Sequence, residues 1–280
     1  MKQFILGKEP DRDNIVRLEG NDYRYLVRVR RFAAGEFFPA LLPNGEETQV
    51  EILSIDRGVL TGKCSVPSMP ETGMEAASTT AKLPQIILFQ ALPKGDKMDL
   101  IVRQAAESGI TEIVPFTSEF SIAKTGVRGQ KFSRWERIVR EARQQSGSKT
   151  ATSIHERLTK DELFEYWTKL KETGALGLLF HHQEANLSPS GPVEIQGLEK
   201  ESLHSYLDSV PRIVALAIGP EGGFSDTEVS LFLENGFKPV KIGDTVLRTE
   251  TAALYCAAAV KILLLERDSW ELKQVKKGCV

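Results

Sequence analysis

The chain has 280 residues with a formal net charge of −2, and 41% of the residues are hydrophobic and 26% are charged. These values are typical of a globular protein that can bury a core in one large domain or two modest ones. Because the chain as a whole is not basic, any surface that contacts nucleic acid has to be a local basic patch.

Targeting and redox features of the sequence favour the cytoplasm. The N-terminus has no apolar run long enough for a signal peptide. The most apolar stretch, residues 252–266, is too short to span a bilayer and contains Lys261. The three cysteines, Cys64, Cys256 and Cys279, are far apart and match no metal-binding spacing. We therefore expect a cytoplasmic protein in a reducing compartment, without a membrane segment or a bound metal.

The first 66 residues consist of short apolar runs separated by turns. The runs are RYLVRV, EFFPALL, QVEILSI and VLTGKCSV. Asn44-Gly45 and Asp56-Arg57-Gly58 have the composition of hairpin turns. This pattern predicts a small, partly closed β-barrel over residues 1–70. The next segment is rich in Pro, Ser, Thr and Gly, and we assign residues 71–83 to a linker.

Residues 84–280 alternate apolar strands with helices, which indicates an α/β domain. Continuously apolar strands of this kind form a mostly parallel sheet that is covered on both faces. The predicted strands are QIILFQA (85–91), EIVPF (112–116), ALGLLFH (175–181), RIVALAIG (212–219) and PVKIG (239–243).

Capping signals mark the ends of the helices between these strands. Asp96 precedes a helix that we expect to end near Gly109. Polar residues 183–211 predict a long loop, and residues 252–266 predict a buried helix. Capping boxes predict helix starts at Ser133–Glu136, Thr159–Glu162 and Ser225–Glu228, the last with Gly236 as its C-terminal stop.

The stretch IGPEGGFS (218–225) follows a predicted strand, and ligands of parallel α/β sheets bind beyond the carboxyl ends of strands. A glycine-rich loop before a helix can cradle a phosphate, but neither phosphate-loop pattern is present. The charge of Glu221 would also repel a polyphosphate. The loop therefore suits a nucleoside-like ligand without phosphates, such as S-adenosylmethionine. A tight glycine-rich turn without a ligand explains it equally well.

Two further strand ends carry polar residues. LRTETAA (247–253) precedes the apolar helix, where a threonine can cap the helix and Glu250 favours its dipole. Arg248 is a cation at a helix N-terminus, where a positive charge is unfavourable, so we predict a functional role for it. His181 and His182 end another strand, and we interpret them as a solvated turn rather than a metal site. The sequence contains no G-x-S-x-G nucleophile motif.

Basic residues are concentrated in two segments of this net-acidic chain. Between Lys124 and Lys149 the sequence has eight Lys or Arg and only two Glu. Either segment alone is typical of a solvated face, but the two together favour a nucleic-acid partner. In the second segment we expect Arg134, Arg137 and Arg140 to face solvent. In the first, Arg24, Arg28, Arg30 and Arg31 interleave with Tyr23, Tyr25 and Phe32, as in proteins that bind single-stranded RNA.

Two C-terminal motifs, IGPEGGFSDTE (218–228) and GFKPVKIGDTVLRTETA (236–252), carry a specific resemblance. Together they resemble the SPOUT-superfamily methyltransferases that methylate N3 of a uridine in bacterial 16S ribosomal RNA. Weaker matches extend it over almost the whole chain: MKQFIL, RYLVRVRRFAAGE, KGDKMDLIVRQAAESGI and RWERIVREARQQSG. The resemblance implies a PUA-like RNA-binding barrel and an α/β domain with a C-terminal trefoil knot. It also implies a homodimer that binds S-adenosylmethionine and 16S ribosomal RNA or the small ribosomal subunit.

The resemblance also implies site residues. Loops at 179–184, 218–223 and 242–248 would enclose the cofactor. Its ligands would be Leu179, Phe180, His181, Ile218, Gly219, Pro220, Glu221, Gly222, Gly223, Ile242, Gly243, Leu247 and Arg248. RNA contacts would come from Arg24, Arg28, Arg30, Arg31, Lys94 and Lys97. The chain departs from the family pattern at Arg24, Gln104 and Ser148, on surfaces expected to face RNA or a second subunit.

The implied reaction removes the proton from uridine N3 and stabilises the negative charge spread over O2 and O4. We assign the electrostatic role to Arg248. The proton acceptor is Glu250 or Glu221, with Glu250 slightly favoured and helix capping as its alternative role. Two other functions stay open at this point: a SPOUT methyltransferase acting on another RNA nucleotide, and a non-catalytic RNA-binding protein of ribosome assembly.

Overall fold

The computed structural model describes residues 4–65, 84–121, 130–181 and 202–277, with side chains of the last helix described as far as residue 266. The chain divides into two compact units. The first is Met1–Ser78 with Arg140–Ala151, and the second is Thr79–Val139 with Thr152–Val280. The expected linker, residues 71–83, lies outside the described residues, so the domain boundaries stay a prediction.

The first unit contains a five-stranded sheet in the order β1-β3-β4-β5-β2. Strand β1 pairs with β3 in parallel, and the other neighbours are antiparallel. Both predicted turns are confirmed: Gly45 has a φ of 93°, and Arg57 and Gly58 have φ values of 47° and 87°. Its elements are β1 (Phe4–Ile5), β2 (Ile15–Leu18), α1 (Gly20–Tyr23), a π-helix (Arg24–Val29), β3 (Phe37–Leu41), β4 (Glu47–Asp56) and β5 (Val59–Ser65).

The run RYLVRV is helical, so our prediction that it is a strand of the barrel is wrong. Leu26 is buried in the core of this unit, and its neighbours Tyr25 and Val27 pack against the same core. A regular strand would turn alternate side chains of these three consecutive residues away from that core, because side chains of a strand alternate between two faces. Burial therefore overrides the strand propensity of this short apolar run.

The second unit contains a six-stranded parallel sheet in the order β11-β9-β10-β6-β7-β8, which confirms the predicted α/β class. Its strands are β6 (Gln85–Ala91), β7 (Glu112–Phe116), β8 (Ser153–Ile154), β9 (Leu176–Phe180), β10 (Ile213–Ile218) and β11 (Lys238–Val240). Its helices are α2 (Lys97–Ser108), α3 (Gln130–Ser146), which continues into the first unit, α4 (Lys160–Glu172), α5 (Leu203–Tyr206), α6 (Asp226–Glu234) and α7 (Thr249–Lys277).

Most of the predicted helix ends are confirmed. Thr159 and Ser225 each form a complete capping box at the start of α4 and α6. Gly109 ends α2 in the left-handed conformation with a φ of 77°. The box predicted at Ser133 is wrong, because α3 already includes Gln130 and Ser133 lies inside the helix. The basic segment before α3 falls outside the described residues.

Three other expectations change. Strand β11 ends at Val240, so residues 241–243 belong to the following loop rather than to the strand. Arg140 does not face solvent freely, because its guanidinium bonds both carboxylate oxygens of Asp22 at 3.1 and 3.2 Å. Helix α7 is buried along one face only, since Tyr255 and Ile262 are 52% and 53% exposed.

The strand order decides where the three predicted loops lie. Strands β11, β9 and β10 are adjacent and parallel, so their carboxyl ends meet at one edge of the sheet. The loops that follow Phe180, Ile218 and Val240 therefore start side by side. Residues 182–201 fall outside the described part of the chain, and the trefoil knot stays a prediction.

Candidate active site

A cavity of about 270 Å³ opens at this edge of the sheet, in the second unit. It brings together eleven of the thirteen predicted cofactor ligands, all except Leu179 and Arg248. Those that line it are Phe180, His181, Ile218, Gly219, Pro220, Glu221, Gly222, Gly223, Ile242, Gly243 and Leu247. Asp244, Thr245 and Val246 also line it, from the loop at 242–248 that was predicted to enclose the cofactor, although they were not named as ligands. Sequence reasoning missed Phe224, Val240, Thr249, Ala252 and Cys256, which complete the lining.

The two remaining residues predicted to bind the cofactor, Leu179 and Arg248, do not line the cavity. Leu179 is completely buried and its side chain belongs to the apolar core of the unit. Arg248 is exposed, and its carbonyl accepts the N–H of Ala252 at 2.8 Å at the start of α7. Its guanidinium is therefore available beside the cavity rather than within its wall.

The glycines of GPEGG are needed for a tight turn. A Cβ on Gly219 would lie 3.1 Å from backbone atoms of Gly223, which is itself left-handed with a φ of 70°. A Cβ on Gly222 would lie 3.1 Å from Phe120. The N–H of Gly223 donates to the carbonyl of Pro220 at 2.9 Å, which closes the turn. Larger residues would push this loop away from the sheet edge.

The charged side chains of the lining are acidic. Glu221 and Asp244 contribute carboxylates, and no Lys or Arg is among the described residues that form the wall. The described part of the wall therefore offers no lysine or arginine to a phosphate. Its carboxylates are offset by lysines, Glu221 by Lys97 at 2.8 Å and Asp244 by Lys241 at 3.0 Å. Burial raises the pKa of the Cys256 thiol to about 12, so Cys256 acts as a neutral, apolar part of the wall.

A buried hydrogen-bonded chain ties α7 to the glycine-rich loop. The side chain of Gln90 is fully buried on β6, and its Nε2 donates to Thr249 Oγ1 at 3.0 Å. Thr249 Oγ1 in turn donates to the carbonyl of Gly219 at 2.7 Å. The sequence signals for this contact were Gln90, a polar residue in the otherwise apolar run IILFQA (86–91), and the threonine predicted to cap the helix.

Lys97 connects the two candidate proton acceptors. Its Nζ lies 2.8 Å from Glu221 Oε1 and 3.6 Å from Glu250 Oε2. The backbone N–H of Lys94 lies 3.2 Å from both carboxylate oxygens of Glu221. Lys94 and Lys97 were predicted to bind RNA; the structure places the Lys97 ammonium against these two carboxylates.

These contacts change the pKa of Glu221. Burial raises the pKa of the Glu221 carboxyl, but hydrogen bonds from Lys97 and from the N–H of Lys94 outweigh it and leave the pKa below its ordinary value. Glu250 differs, because its buried Oε2 has no hydrogen bond to a described residue and lies 3.6 Å from the Lys97 ammonium, farther than Glu221 Oε1 at 2.8 Å. Lys97 and the N–H of Lys94 thus hold Glu221 closely, whereas Glu250 makes a longer contact with Lys97.

The other predicted functional residues lie in the first unit or outside the described chain. Arg24, Arg28, Arg30 and Arg31 are all exposed, and none has an ion pair with another described residue. His182 falls outside the described residues. Within the described ranges, no group of three or more His, Cys, Asp or Glu side chains could hold a metal ion. No described helix is both long and apolar enough to cross a membrane.

Comparisons with known proteins match both parts of the chain. A family model described as RNA methyltransferase domain matches residues 80–261, and one described as RNA methyltransferase PUA domain matches residues 18–63. A ribosomal RNA small subunit methyltransferase E from Aquifex aeolicus is 30% identical over 89% of this chain and 95% of its own length. A protein of the same name from a Synechocystis species is 29% identical over 94% of this chain and 78% of its own length.

Solved structures share the fold. A ribosomal RNA small subunit methyltransferase E from Neisseria gonorrhoeae bound to S-adenosyl methionine has a TM-score of 0.68 at 24% identity. A putative methyltransferase from Legionella pneumophila in complex with the same cofactor has a TM-score of 0.67 at 23% identity. Each alignment covers 94% of this chain and 98% of the other chain.

The lowered pKa of Glu221 predicts a pH-dependent contribution to stability. A carboxylate with a lowered pKa stabilises the folded state above its ordinary pKa of 4.5, and this stabilisation is lost as the pH falls through the lowered value. The Glu221→Gln variant should therefore have a smaller unfolding free energy than the wild type at neutral pH, and the difference should disappear in acid. Urea unfolding at a series of pH values measures it.

The matched control is Glu234→Gln, which changes an exposed glutamate at the end of α6. Its unfolding free energy should follow that of the wild type at every pH. A Glu221→Gln difference that stayed constant down to strongly acidic pH would contradict the assignment of Glu221 as a carboxylate held by Lys97 and Lys94.

Proposed function

The chain belongs to the ribosomal RNA small subunit methyltransferase E family, and on that premise we propose that it methylates N3 of a uridine in 16S ribosomal RNA with S-adenosylmethionine. The substrate is the RNA itself or the small ribosomal subunit that contains it. One observation carries the proposal: a cavity without a described Lys or Arg in its wall opens at three neighbouring strand ends, beside a carboxylate pair and an exposed arginine.

The lining of the cavity is compatible with the proposed cofactor. S-adenosylmethionine supplies an electrophilic methyl group on a positive sulfonium and carries no phosphate. The lining residues include no described Lys or Arg that would select a phosphate, which suits a ligand without phosphates. The volume of about 270 Å³ is near the lower limit of small-molecule sites. Residues at 218–223 and 242–247 would hold the ligand largely through backbone atoms.

We propose that Arg248 stabilises the charge that develops on the target base. Loss of the N3 proton spreads negative charge over two carbonyl oxygens, and a fixed cation nearby lowers the energy of that state. Arg248 is exposed and lies between Leu247 and Thr249, both of which line the cavity. Its position beside the wall is that of a group that contacts the RNA base rather than the cofactor.

Glu250 is the better candidate for the general base. Glu221 is bound by Lys97 and by the N–H of Lys94, and its pKa is lowered, so it is a poor proton acceptor. Glu250 lies two residues from Arg248, and its buried Oε2 has no hydrogen bond to a described residue and a longer contact with Lys97, at 3.6 Å. We propose that Glu221 positions the loop after β6 while Glu250 accepts the proton from N3.

We further propose that the protein is a cytoplasmic homodimer with a barrel at 1–70 and a catalytic domain at 84–280. Support for the dimer comes from α7, whose outer face carries large apolar side chains. Leu254, Tyr255, Ile262 and Leu265 are 37%, 52%, 53% and 57% exposed. A stripe of this size on one helix is unfavourable in water unless another surface covers it.

Nucleoside mass spectrometry of ribosomal RNA from cells with and without the gene tests the reaction. We expect 3-methyluridine in 16S RNA to disappear without the gene and to return with the wild-type gene. The Arg248→Ala variant should not restore it, although calorimetry should still detect binding of S-adenosylmethionine. The exposed Arg103→Ala on α2 is the matched control and should restore the modification. An unchanged RNA profile would refute the proposed substrate.

The methyl-transfer rates of variants can distinguish the roles of Glu250 and Glu221. With saturating cofactor, Glu250→Gln should lower kcat by about 10²- to 10⁴-fold, the usual effect of removing a general base. Glu221→Gln should lower kcat far less, because it removes an ion pair rather than the proton acceptor. Single-turnover methyl transfer to 16S RNA at several pH values measures both. Equal losses in the two variants would contradict this division of roles.

The proposed dimer predicts that a charge on the outer face of α7 separates the subunits. Ile262→Glu should convert a particle of twice the chain mass into a monomer, because a buried carboxylate without a partner is strongly destabilising. Leu53→Glu places the same charge on the barrel, where Leu53 is 46% exposed, and should leave the mass unchanged. Light scattering after size-exclusion chromatography decides the point, and a monomeric wild type would overturn the proposal.

A further inference from the structure

We propose that the cavity between the π-helical segment and strands β1, β3 and β4 binds one unstacked nucleobase of the RNA, other than the base that is methylated. The proposal rests on the proposed function, because that function supplies the RNA. The cavity measures about 510 Å³ and lies within the first unit. Its lining residues are Phe4, Tyr25, Leu26, Arg30, Phe32, Phe38, Pro39, Ala40, Leu41, Glu47, Thr48, Gln49 and Lys149.

Aromatic rings form much of the wall. Tyr25 lies parallel to Phe4, with ring centroids 6.3 Å apart, and Phe32 packs on Phe38 at 5.6 Å. Phe4 and Phe38 are buried in the core, whereas Tyr25 and Phe32 remain partly exposed. Proteins bind unpaired bases by stacking them on partly exposed aromatic rings of this kind. A volume of about 510 Å³ lies within the range of small-ligand sites.

Polar groups stand beside these rings. Thr48 Oγ1 donates to the carbonyl of Ser65 at 3.0 Å and keeps lone pairs that can accept a hydrogen bond. The side-chain amide of Gln49 has no partner among the described residues. Glu47 and Lys149 form an ion pair in the same wall. A void left by imperfect packing would be apolar, whereas this cavity offers donors and acceptors to the edge of a base.

The charge around the cavity suits a polynucleotide. The guanidinium of Arg30 lies 5.5 Å from the centre of the Phe32 ring, so a cation and an aromatic face occur together. Arg24, Arg28 and Arg31 are exposed in the same segment, and no described acidic side chain forms an ion pair with them. Phosphates would therefore be attracted to the segment while one base enters the cavity.

The backbone of this segment is strained at a residue that lies between two lining residues of the cavity. Arg31 has a φ of 61°, which is unfavourable for a residue other than glycine, and it separates two lining residues, Arg30 and Phe32. The N–H of Phe32 donates to the carbonyl of Leu26 at 3.1 Å, which turns Phe32 back onto the π-helix. Strained residues and π-helices both cluster at functional sites.

Binding of the full-length protein to a short, fluorescein-labelled single-stranded RNA from 16S RNA tests the proposal. Phe32→Ala should weaken binding by about 5- to 100-fold, the effect of losing one base–aromatic stack. Phe32→Leu keeps an apolar side chain without an aromatic ring and should also weaken binding while retaining the wild-type melting temperature. Phe37→Ala, a change at a 51% exposed position of the same barrel, is the matched control and should bind like the wild type.

A second pair of variants tests the charge. Arg30→Met should weaken binding and reduce the salt dependence by about one phosphate contact. Arg57→Met, in the exposed turn between β4 and β5, should change neither. Fluorescence anisotropy at several salt concentrations measures both quantities. Equal salt dependence in Arg30→Met and the wild type would remove Arg30 from the site.

RNAs that carry 2-aminopurine at successive positions locate the captured base. In the wild type, emission should rise at one position besides the methylated one, and Phe32→Ala should abolish that second rise only. If Phe32→Leu binds like the wild type, or the second rise persists in Phe32→Ala, the proposal is wrong. Capture of the base without any 3-methyluridine in 16S RNA would instead overturn the proposed reaction and leave the barrel site in place. A wild type that binds no RNA would overturn both.

Discussion

The hydrogen bond from Thr249 to the carbonyl of Gly219 is the contact on which the candidate site depends. It joins the first turn of α7 to the loop after β10, and Gln90 on β6 supports it from inside the sheet. All three groups are buried or partly buried, so an unmade bond would cost the desolvation of a polar group. The chain therefore fixes the wall of the cavity and the start of α7 together. Arg248 and Glu250, on either side of Thr249, are placed by the same contact.

Lys97 gives the two carboxylates near this wall different properties. Glu221 receives hydrogen bonds from the Lys97 side chain and the Lys94 backbone, which lower its pKa. Glu250 is farther from the Lys97 ammonium, at 3.6 Å, and its buried Oε2 has no hydrogen bond to a described residue. Two glutamates can thus have different roles, one holding a loop and the other accepting a proton, because their hydrogen bonds differ.

Charge is also divided between the two units, although the net charge is only −2. No described Lys or Arg lines the cavity of the α/β unit, whereas the π-helical segment of the barrel carries exposed arginines beside aromatic rings. A wall without such a cation favours a ligand without phosphates, and a basic aromatic surface favours RNA. The net charge of the chain therefore does not indicate its binding partners, whereas the local distribution of charged side chains does.

The sequence by itself determined the α/β class, the main strands, two of the three proposed capping boxes and the three strand ends that meet at the site. These features follow from hydrophobic periodicity and caps, which involve residues near one another in the chain. The tertiary structure alone decided that RYLVRV is helical and that α7 is buried on one face only. The sequence predicted a threonine at the start of α7 only as a helix cap, and the tertiary structure decided that Thr249 bonds to the glycine-rich loop. It also decided which carboxylate Lys97 holds most closely. Those outcomes depend on contacts between residues far apart in sequence, and no local pattern records which distant partner a buried polar group will find.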